Sequence, residues 1–150
     1  MEIRRVNSEK ECEICDNFLS KLINFEADFD NVINETAVVN NMYKNFFNKE
    51  YVFLAYAFEK EPMGYVYAYL KYAKGKYDTT NVINLETMFV DEKYRKKGIG
   101  KSLIKAVEDW AKSKFKDDFV IEITAIKSNI NAVKFYKDLG YEEQKIVFRK

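Results

Sequence analysis

The chain of 150 residues carries 25 lysines and arginines against 24 aspartates and glutamates, which gives a formal net charge of +1. This balance argues against a nucleic-acid-binding module, because such modules present a strongly basic face. The chain has no histidine and only two cysteines, which excludes a Ser-His-Asp hydrolase and a zinc site built from four Cys or His ligands. We therefore expect neither a nucleic-acid partner nor a metal ion.

The length predicts a single domain, residues 1–150. The N-terminal sequence MEIRRVNSEK is polar and does not have the pattern of a signal peptide. No apolar run approaches the ~20 residues that a membrane-spanning helix needs, so no membrane partner is expected. These features together predict a reduced, cytoplasmic location.

A short strand and an amphipathic helix are predicted first. Met1–Val6 is the strand, and Ser8 with Glu11 forms an S-x-x-E capping box that begins the helix. The apolar residues that follow recur at helical spacing and predict one buried face: Cys12, Cys15, Phe18, Leu19, Leu22 and Ile23. We interpret the C-x-x-C pair as part of this face, since no second ligand pair accompanies it.

A loop, a second helix and a hairpin are predicted next. Phe25–Asn34 is acidic and irregular, as in a loop, and helical spacing returns in Glu35–Phe47. Tyr51–Phe58 and Met63–Ala73 are predicted strands of a hairpin, because a turn that contains proline separates them. Lys74–Asn81 is a polar loop.

The most informative stretch is LETMFVDEKYRKKGIGKS, residues 85–102. Leu85–Val90 is apolar enough for a buried strand, Asp91–Lys97 is polar apart from one tyrosine, and Gly98-Ile99-Gly100 opens an amphipathic helix. A helix start presents unpaired N–H groups and the positive end of the helix dipole, and glycines let a ligand approach closely. The turn therefore predicts a phosphate-binding site. Six basic side chains surround it: Lys93, Arg95, Lys96, Lys97, Lys101 and Lys105.

The last part of the chain is predicted to add a strand, a helix and a strand. Phe119–Ile126 is the first of these strands, and Ser128–Asn131 is a polar loop. The helix covers Ala132–Leu139 and ends at Gly140, a residue common after helix C-termini. Tyr141–Arg149 is predicted as a final strand with a charged edge.

Two motifs lie on either side of the strand Phe119–Ile126. The run from Arg95 to Gly100 fits the pattern R/Q-x-x-G-x-G/A. The pattern N-x-x-A-x-x-F/L-Y-x-x-x-G-F/Y is matched by Asn129, Ala132, Phe135, Tyr136, Gly140 and Tyr141. In this combination the chain resembles the GNAT superfamily of acetyl-CoA-dependent N-acetyltransferases. The resemblance is strong over residues 84–148 and rests on element order alone before them.

The resemblance implies an α/β (α+β) fold with a mixed, mainly antiparallel sheet that helices flank. Two central parallel strands splay apart in this fold, and acetyl-CoA, the acyl donor, enters the gap. Backbone groups of Met88, Phe89 and Val90 are expected to pair with the pantetheine arm like an added strand. Asn129 is expected to close the opposite wall. The pyrophosphate is expected to bind backbone groups of one continuous run: Arg95, Lys96, Lys97, Gly98, Ile99, Gly100 and Lys101.

Acetyl transfer by direct attack needs a base for the amine, a donor to the carbonyl oxygen and an acid for the leaving thiolate. By resemblance, Tyr136 is the candidate acid and lies near the sulfur. Glu86 is the candidate base, because a lone carboxylate within an apolar strand is costly unless it faces a cleft or a partner; Glu122 is a weaker rival. The oxyanion donor is expected to be a backbone N–H near Met88 or Phe89.

The sequence determines the acetyl acceptor less well than the acetyl donor. The Glu86 region is similar to the diamine and polyamine acetyltransferase branch, which favours a small primary amine; a protein N-terminus or lysine is the alternative. A non-catalytic acyl-CoA-binding sensor also remains open, and a homodimer is possible. Four acidic and three aromatic residues could together form a cation-binding slot for a primary amine: Glu26, Asp28, Asp30, Glu35, Tyr65, Tyr67 and Tyr69. The alternative is that the acidic residues only form a solvated loop.

Overall fold

A computed structural model describes residues 1–75 and 77–150; Lys76, in the predicted loop Lys74–Asn81, lies outside the described residues. The strands form one sheet in sequence order: β1 (Glu2–Arg5), β2 (Val52–Phe58), β3 (Pro62–Tyr72), β4 (Asn81–Val90) and β5 (Phe119–Ile123). The helices are α1 (Glu9–Glu26), α2 (Ile99–Phe115) and α3 (Ile130–Asp138), with 3₁₀ turns at Tyr43–Asn45 and Glu92–Tyr94. None of the helices described has both the length and the apolar character of a membrane span.

The predicted mixed, mainly antiparallel sheet is confirmed. The pairs from β1 to β4 are antiparallel, and β4 pairs with β5 in parallel. A parallel pair needs a long crossover, which α2 provides. Because α2 lies on one face of the sheet and α1 on the other, β3 is buried on both faces: Val66 and Ala68 join the α2 side, and Tyr65 and Tyr67 join the α1 side.

The helix α1 begins at the predicted capping box. Ser8 accepts a hydrogen bond at Oγ from the backbone N–H of Glu11, 3.3 Å away, and Glu11 Oε1 accepts from Asn7 N at 3.4 Å. Cys12 and Cys15 are fully buried on this helix. Burial raises the pKa of the Cys12 thiol to about 11, and that of Cys15 further. Neither thiol is therefore suited to act as a nucleophile.

The predicted second helix, Glu35–Phe47, is wrong. Only the 3₁₀ turn Tyr43–Asn45 forms there. Side chains take the backbone N–H groups that a helix would use: Asp16 Oδ1 accepts from the N–H groups of Met42 (3.1 Å) and Tyr43 (3.2 Å). An acceptor on another element competes with helix hydrogen bonds for the same N–H groups. The buried carboxylate of Asp16 thus holds this segment against α1.

The predicted final strand, Tyr141–Arg149, is also wrong. The segment after Gly140 has no regular secondary structure and pairs with no strand among the residues described. Three ion pairs hold it instead: Lys137 to Glu143 at 3.2 Å, Lys145 to Glu122 at 3.3 Å and Arg149 to Asp30 at 2.9 Å. A strand requires the edge of a partner strand as well as suitable residues, and the local sequence does not show whether such an edge is available.

A β-bulge interrupts the pairing of β3 with β4. Tyr67 lies opposite Thr87, and the next residue, Ala68, lies opposite Leu85. Glu86 is therefore an extra residue in β4. A bulge re-aims the side chains next to it, and here both Glu86 and Thr87 make their contacts with tyrosines of the α1 side.

Candidate active site

The parallel strands β4 and β5 part halfway along β4. Their pairing runs from Asn81 opposite Phe119 to Leu85 opposite Ile123, where β5 ends while β4 continues to Val90. This opening is the splay that the family resemblance implied. Among the residues described, it leaves one edge of the last residues of β4 without a neighbouring strand.

The backbone N–H and C=O groups of successive residues in β4 point alternately toward β3 and toward this opening. The N–H of Asp91 donates to Met63 O at 2.9 Å and so points toward β3. Backbone groups point to the same side at every second residue of a strand. Those of Phe89 therefore face β3, and those of Met88 and Val90 face the opening, where Arg95 Nε already donates to Val90 O at 2.9 Å.

The turn before α2 has the predicted form of an anion site. Gly98 is the N-cap of α2 with φ 81°, and Lys96 also has a positive φ of 61°. The first backbone hydrogen bond of the helix runs from Ser102 N to Gly98 O at 3.0 Å. The N–H groups of the three residues between them, Ile99 to Lys101, have no acceptor within the helix and remain available to a phosphate.

The basic residues around this turn divide into two groups. Lys93 pairs with Glu61 at 2.6 Å and Lys105 with Asp109 at 3.1 Å. By contrast, no ion pair involves the other three lysines within residues 1–75 and 77–150: Lys96, Lys97 and Lys101. The group nearest the helix start is thus the one with free positive charge.

Arg95 supports the turn from within. Besides its hydrogen bond to Val90 O, its guanidinium lies 4.6 Å from the ring centre of Phe25 and 5.3 Å from that of Phe89. An arginine held by a backbone carbonyl and two aromatic rings is fixed in place. Its side chain therefore connects the end of β4 to α1.

Three elements meet at Gly100. A Cβ placed there would lie 3.2 Å from Phe135 Cζ of α3 and 3.7 Å from Met88 Cε of β4. The glycine thus allows α2, α3 and β4 to converge beside the opening. Asn129 is the N-cap of α3, and its Oδ1 accepts from Ala132 N at 3.2 Å. This places Tyr136, on the same helix, in a defined orientation.

Tyr136 has the properties of a neutral phenol. Its ring contacts those of Phe135 and Tyr141, with centroids 5.5 and 6.5 Å away. No hydrogen bond to its hydroxyl is found in the part of the chain that the structure describes. Burial and the negative charge of Glu26 raise the pKa of Tyr136 to about 12, so it keeps its proton at neutral pH.

Glu86 has one bound and one free carboxylate oxygen. Its Oε2 accepts hydrogen bonds from Asn84 Nδ2 and from the Tyr69 hydroxyl, the latter at 3.2 Å. Asn84 also donates to Tyr69 at 3.2 Å. No hydrogen bond reaches Oε1 from any residue described. The carboxylate is therefore held in one orientation with an oxygen left for a ligand.

Glu86 lines an open cleft of about 560 Å³ on the α1 side of the sheet. The rival base, Glu122, does not line it and pairs with Lys145. Tyr67 and Tyr69 of the predicted slot do line it, whereas Tyr65 is buried beneath. The cleft is not lined by the four acidic residues of the predicted slot: Glu26, Asp28, Asp30 and Glu35. Asp30 is paired with Arg149 instead.

Two features next to Glu86 have little signal in the sequence and were not predicted from it. One is Asn84, whose only signal was an amide within an apolar strand. The other is a hydrogen-bonded triangle of hydroxyls: Tyr65 donates to Thr87 Oγ1 at 2.8 Å, and the Tyr43 hydroxyl lies 3.0 Å from that of Tyr65 and 3.2 Å from Thr87 Oγ1. This triangle holds the bulge against the 3₁₀ turn. Within the described residues there is no cluster of three or more His, Cys, Asp or Glu residues that could hold a metal ion.

Comparisons with known proteins agree with this geometry. Residues 19–141 match the family model described as Acetyltransferase (GNAT) family. An uncharacterized N-acetyltransferase of Methanocaldococcus jannaschii is 35% identical over 66 residues, which are 44% of this chain and 28% of that protein.

Solved structures share the fold over nearly the whole chain. A tetramutant of the BH1408 protein from Bacillus halodurans superposes with a TM-score of 0.86 at 18% identity, covering 100% of this chain and 99% of that one. The aminoglycoside N-acetyltransferase AAC(6')-Iy, in complex with the bisubstrate analogue CoA-S-monomethyl-acetylneamine, gives a TM-score of 0.72 at 23% identity, covering 99% and 96%.

Proposed function

The chain belongs to the Acetyltransferase (GNAT) family, and from this membership we propose that it transfers an acetyl group from acetyl-CoA to the primary amine of a small molecule. One observation carries the proposal: β4 separates from β5 just where Glu86 turns into a cleft. The opening accepts the donor and the cleft accepts the amine. All 150 residues are proposed to serve this one catalytic domain.

The donor is proposed to lie along the open edge of β4. The backbone groups of Met88 and Val90 face the opening and can pair with the amides of the pantetheine arm, although Val90 O is already engaged by Arg95. The pyrophosphate is proposed to bind the free N–H groups at the start of α2. The lysines without ion pairs would neutralise its charge, with Asn129 on the opposite wall.

The proposed chemistry is direct attack of the amine on the thioester carbonyl. Glu86 Oε1 takes a proton from the ammonium, because only the neutral amine has an electron pair for attack. The N–H of Met88 donates to the carbonyl oxygen as negative charge develops on it. As the C–S bond breaks, Tyr136 gives its proton to the thiolate. Nitrogen loses its second proton to solvent after attack, Glu86 returns its proton to solvent, and solvent reprotonates Tyr136. The ammonium and acetyl-CoA thus give the amide, free CoA and one released proton.

The solved neighbours support an acyl-CoA donor and a small-molecule amine. The bisubstrate analogue in one of them joins CoA to an acetylated aminoglycoside fragment. At 23% identity this likeness shows the fold alone, so the acceptor of the present chain has to come from its own cleft.

The direct test is calorimetric titration with acetyl-CoA together with a free-thiol release assay over a panel of amines. We expect micromolar binding, and thiol release that depends on an added amine. Binding without release on any small amine would overturn the acceptor and favour a protein amine or a sensor. No binding would overturn the donor site at Gly98–Lys101.

Replacing Glu86 by glutamine should lower kcat/KM about 10-fold or more at pH 7, since the base that frees the amine is lost. The loss should shrink as the pH approaches the pKa of a primary amine, ~10, because solution then supplies the neutral amine. The measurement is the pH profile of thiol release for both proteins.

Glu122→Gln is the matched control, because its carboxylate pairs with Lys145 outside the cleft. It should leave the profile unchanged. If Glu122→Gln reproduces the Glu86→Gln loss, or if the Glu86→Gln loss is the same at all pH values, the assignment of Glu86 as the base is wrong.

A further inference from the structure

The cleft beside Glu86 has mostly apolar walls. Seven of its ten lining residues are aromatic or aliphatic: Met42, Phe46, Tyr51, Val52, Tyr67, Tyr69 and Leu70. Three of these are unusually exposed for their type, at 41% for Met42, 38% for Phe46 and 44% for Tyr51. Large apolar side chains exposed together around a concave surface mark a binding site for an apolar group.

The aromatic rings form a continuous wall. The ring centre of Tyr67 lies 5.5 Å from that of Tyr69 and 6.5 Å from that of Phe46. Burial and the nearby charge of Glu86 raise the pKa of Tyr67 to about 12, so this ring is neutral under all ordinary conditions. The wall can therefore pack against an aryl or alkyl body and can also attract an ammonium over a ring face.

The charges of the cleft match a single ammonium group. Its charged lining residues are Lys49, Glu50 and Glu86. Lys49 and Glu50 offset each other, which leaves the one net negative charge of Glu86. A polycation would bring several ammonium groups into a cleft that has one surplus carboxylate and a lysine of its own. The acidic residues that could have served more ammonium groups do not line this cleft.

We infer that the acceptor is a primary monoamine with an aromatic or aliphatic body, not a polyamine or an aminoglycoside. The inference rests on the proposed function and specifies its acceptor. The ammonium binds Glu86 Oε1, the carboxylate oxygen that Asn84 and Tyr69 leave free. The apolar body lies along Tyr67 and Phe46. Glu86 directly follows Leu85, the last residue of β4 that pairs with β5. An amine bound to Glu86 therefore lies next to the open edge of β4, along which acetyl-CoA is proposed to bind.

The test compares four acceptors in the thiol-release assay at saturating acetyl-CoA: 2-phenylethylamine, hexylamine, spermidine and sisomicin. We expect kcat/KM to be at least about 10-fold higher for the first two, as expected for an apolar pocket that discriminates by burial. Equal or higher values for spermidine or sisomicin would overturn the inference and leave the proposed function standing. No release with any of the four, despite bound acetyl-CoA, would overturn both.

A second measurement locates the amine body. Phe46→Ala should raise KM for 2-phenylethylamine about 10-fold with little change in kcat, because the wall is lost while the reacting groups remain. Val38→Ala is the control, an apolar side chain of the same segment that is still more exposed than Phe46, at 75% against 38%, and lies outside the cleft. An unchanged KM in Phe46→Ala, in a protein that melts at the wild-type temperature, would place the amine elsewhere and overturn the inference.

Discussion

Replacing Tyr136 by phenylalanine is expected to lower kcat about 100-fold, the lower end of the range for loss of a general acid. The ring keeps its packing against Phe135 and Tyr141, so the fold and the KM for acetyl-CoA should change little. Because the pKa of Tyr136 is raised to about 12, the phenol is protonated throughout the assay range. The loss should therefore be the same from pH 7 to pH 9, as measured by steady-state thiol release.

Tyr141→Phe is the matched control for this variant. The two rings are neighbours, but the Tyr141 hydroxyl donates to Glu108 at 3.0 Å. Its removal should cost about 1 kcal/mol of stability, as for one lost hydrogen bond, and leave kcat near the wild-type value. We thus expect Tyr136→Phe to lower kcat with little change in stability, and Tyr141→Phe to lower stability with little change in kcat. Full activity of Tyr136→Phe would show that the thiolate is protonated from another source.

Replacing Gly64 by alanine is expected to reduce the free energy of unfolding by about 3 kcal/mol, the upper part of the usual range for overpacking. The added Cβ would lie 2.6 Å from Phe89 O and 3.0 Å from Val90 Cα. Both atoms belong to the backbone of β4, so no side-chain rotation can relieve the contact. The strands must move apart, and β4 is the strand proposed to bind the donor. Urea unfolding at constant pH measures the effect.

Gly75→Ala provides the comparison, because the nearest atom to its Cβ is Ala73 O at 3.9 Å. Its stability should stay within about 0.5 kcal/mol of wild type, as for most surface substitutions. If Gly64→Ala is as stable as Gly75→Ala, the close approach of β3 to β4 is not required for the fold. If it is destabilised yet binds acetyl-CoA normally below its melting temperature, the donor edge tolerates the shift.

The elements that the sequence predicted correctly are those whose pattern lies in residues close together in the chain. The capping box at Ser8, the apolar stripe of α2 and the cap at Gly140 all depend on residues close in the chain, and each is found where expected. Short-range patterns of this kind survive folding because they are satisfied by neighbours along the chain. The splay of β4 and β5 and the glycine turn before α2 were instead expected from two motifs and a family resemblance.

The errors came from segments whose structure depends on distant partners. Glu35–Phe47 has helical spacing, but Asp16 on α1 captures its N–H groups. A strand is predicted for Tyr141–Arg149, yet ion pairs to Glu122 and Asp30 hold this segment, and no strand pairs with it among the residues described. In both cases the competing contact lies far away in sequence, so periodicity could not reveal it.

The sequence by itself determined the place of the glycine turn before α2 and, through the family resemblance, the class of fold and the candidates Glu86 and Tyr136. Only the tertiary structure decided how Glu86 is held and what surrounds it. The bulge that turns it toward the cleft, the hydrogen bonds from Asn84 and Tyr69, and the apolar wall with Phe46 join three separate parts of the chain. The physical reason is that a binding surface is made by long-range packing, whereas the elements that carry it are specified by local pattern.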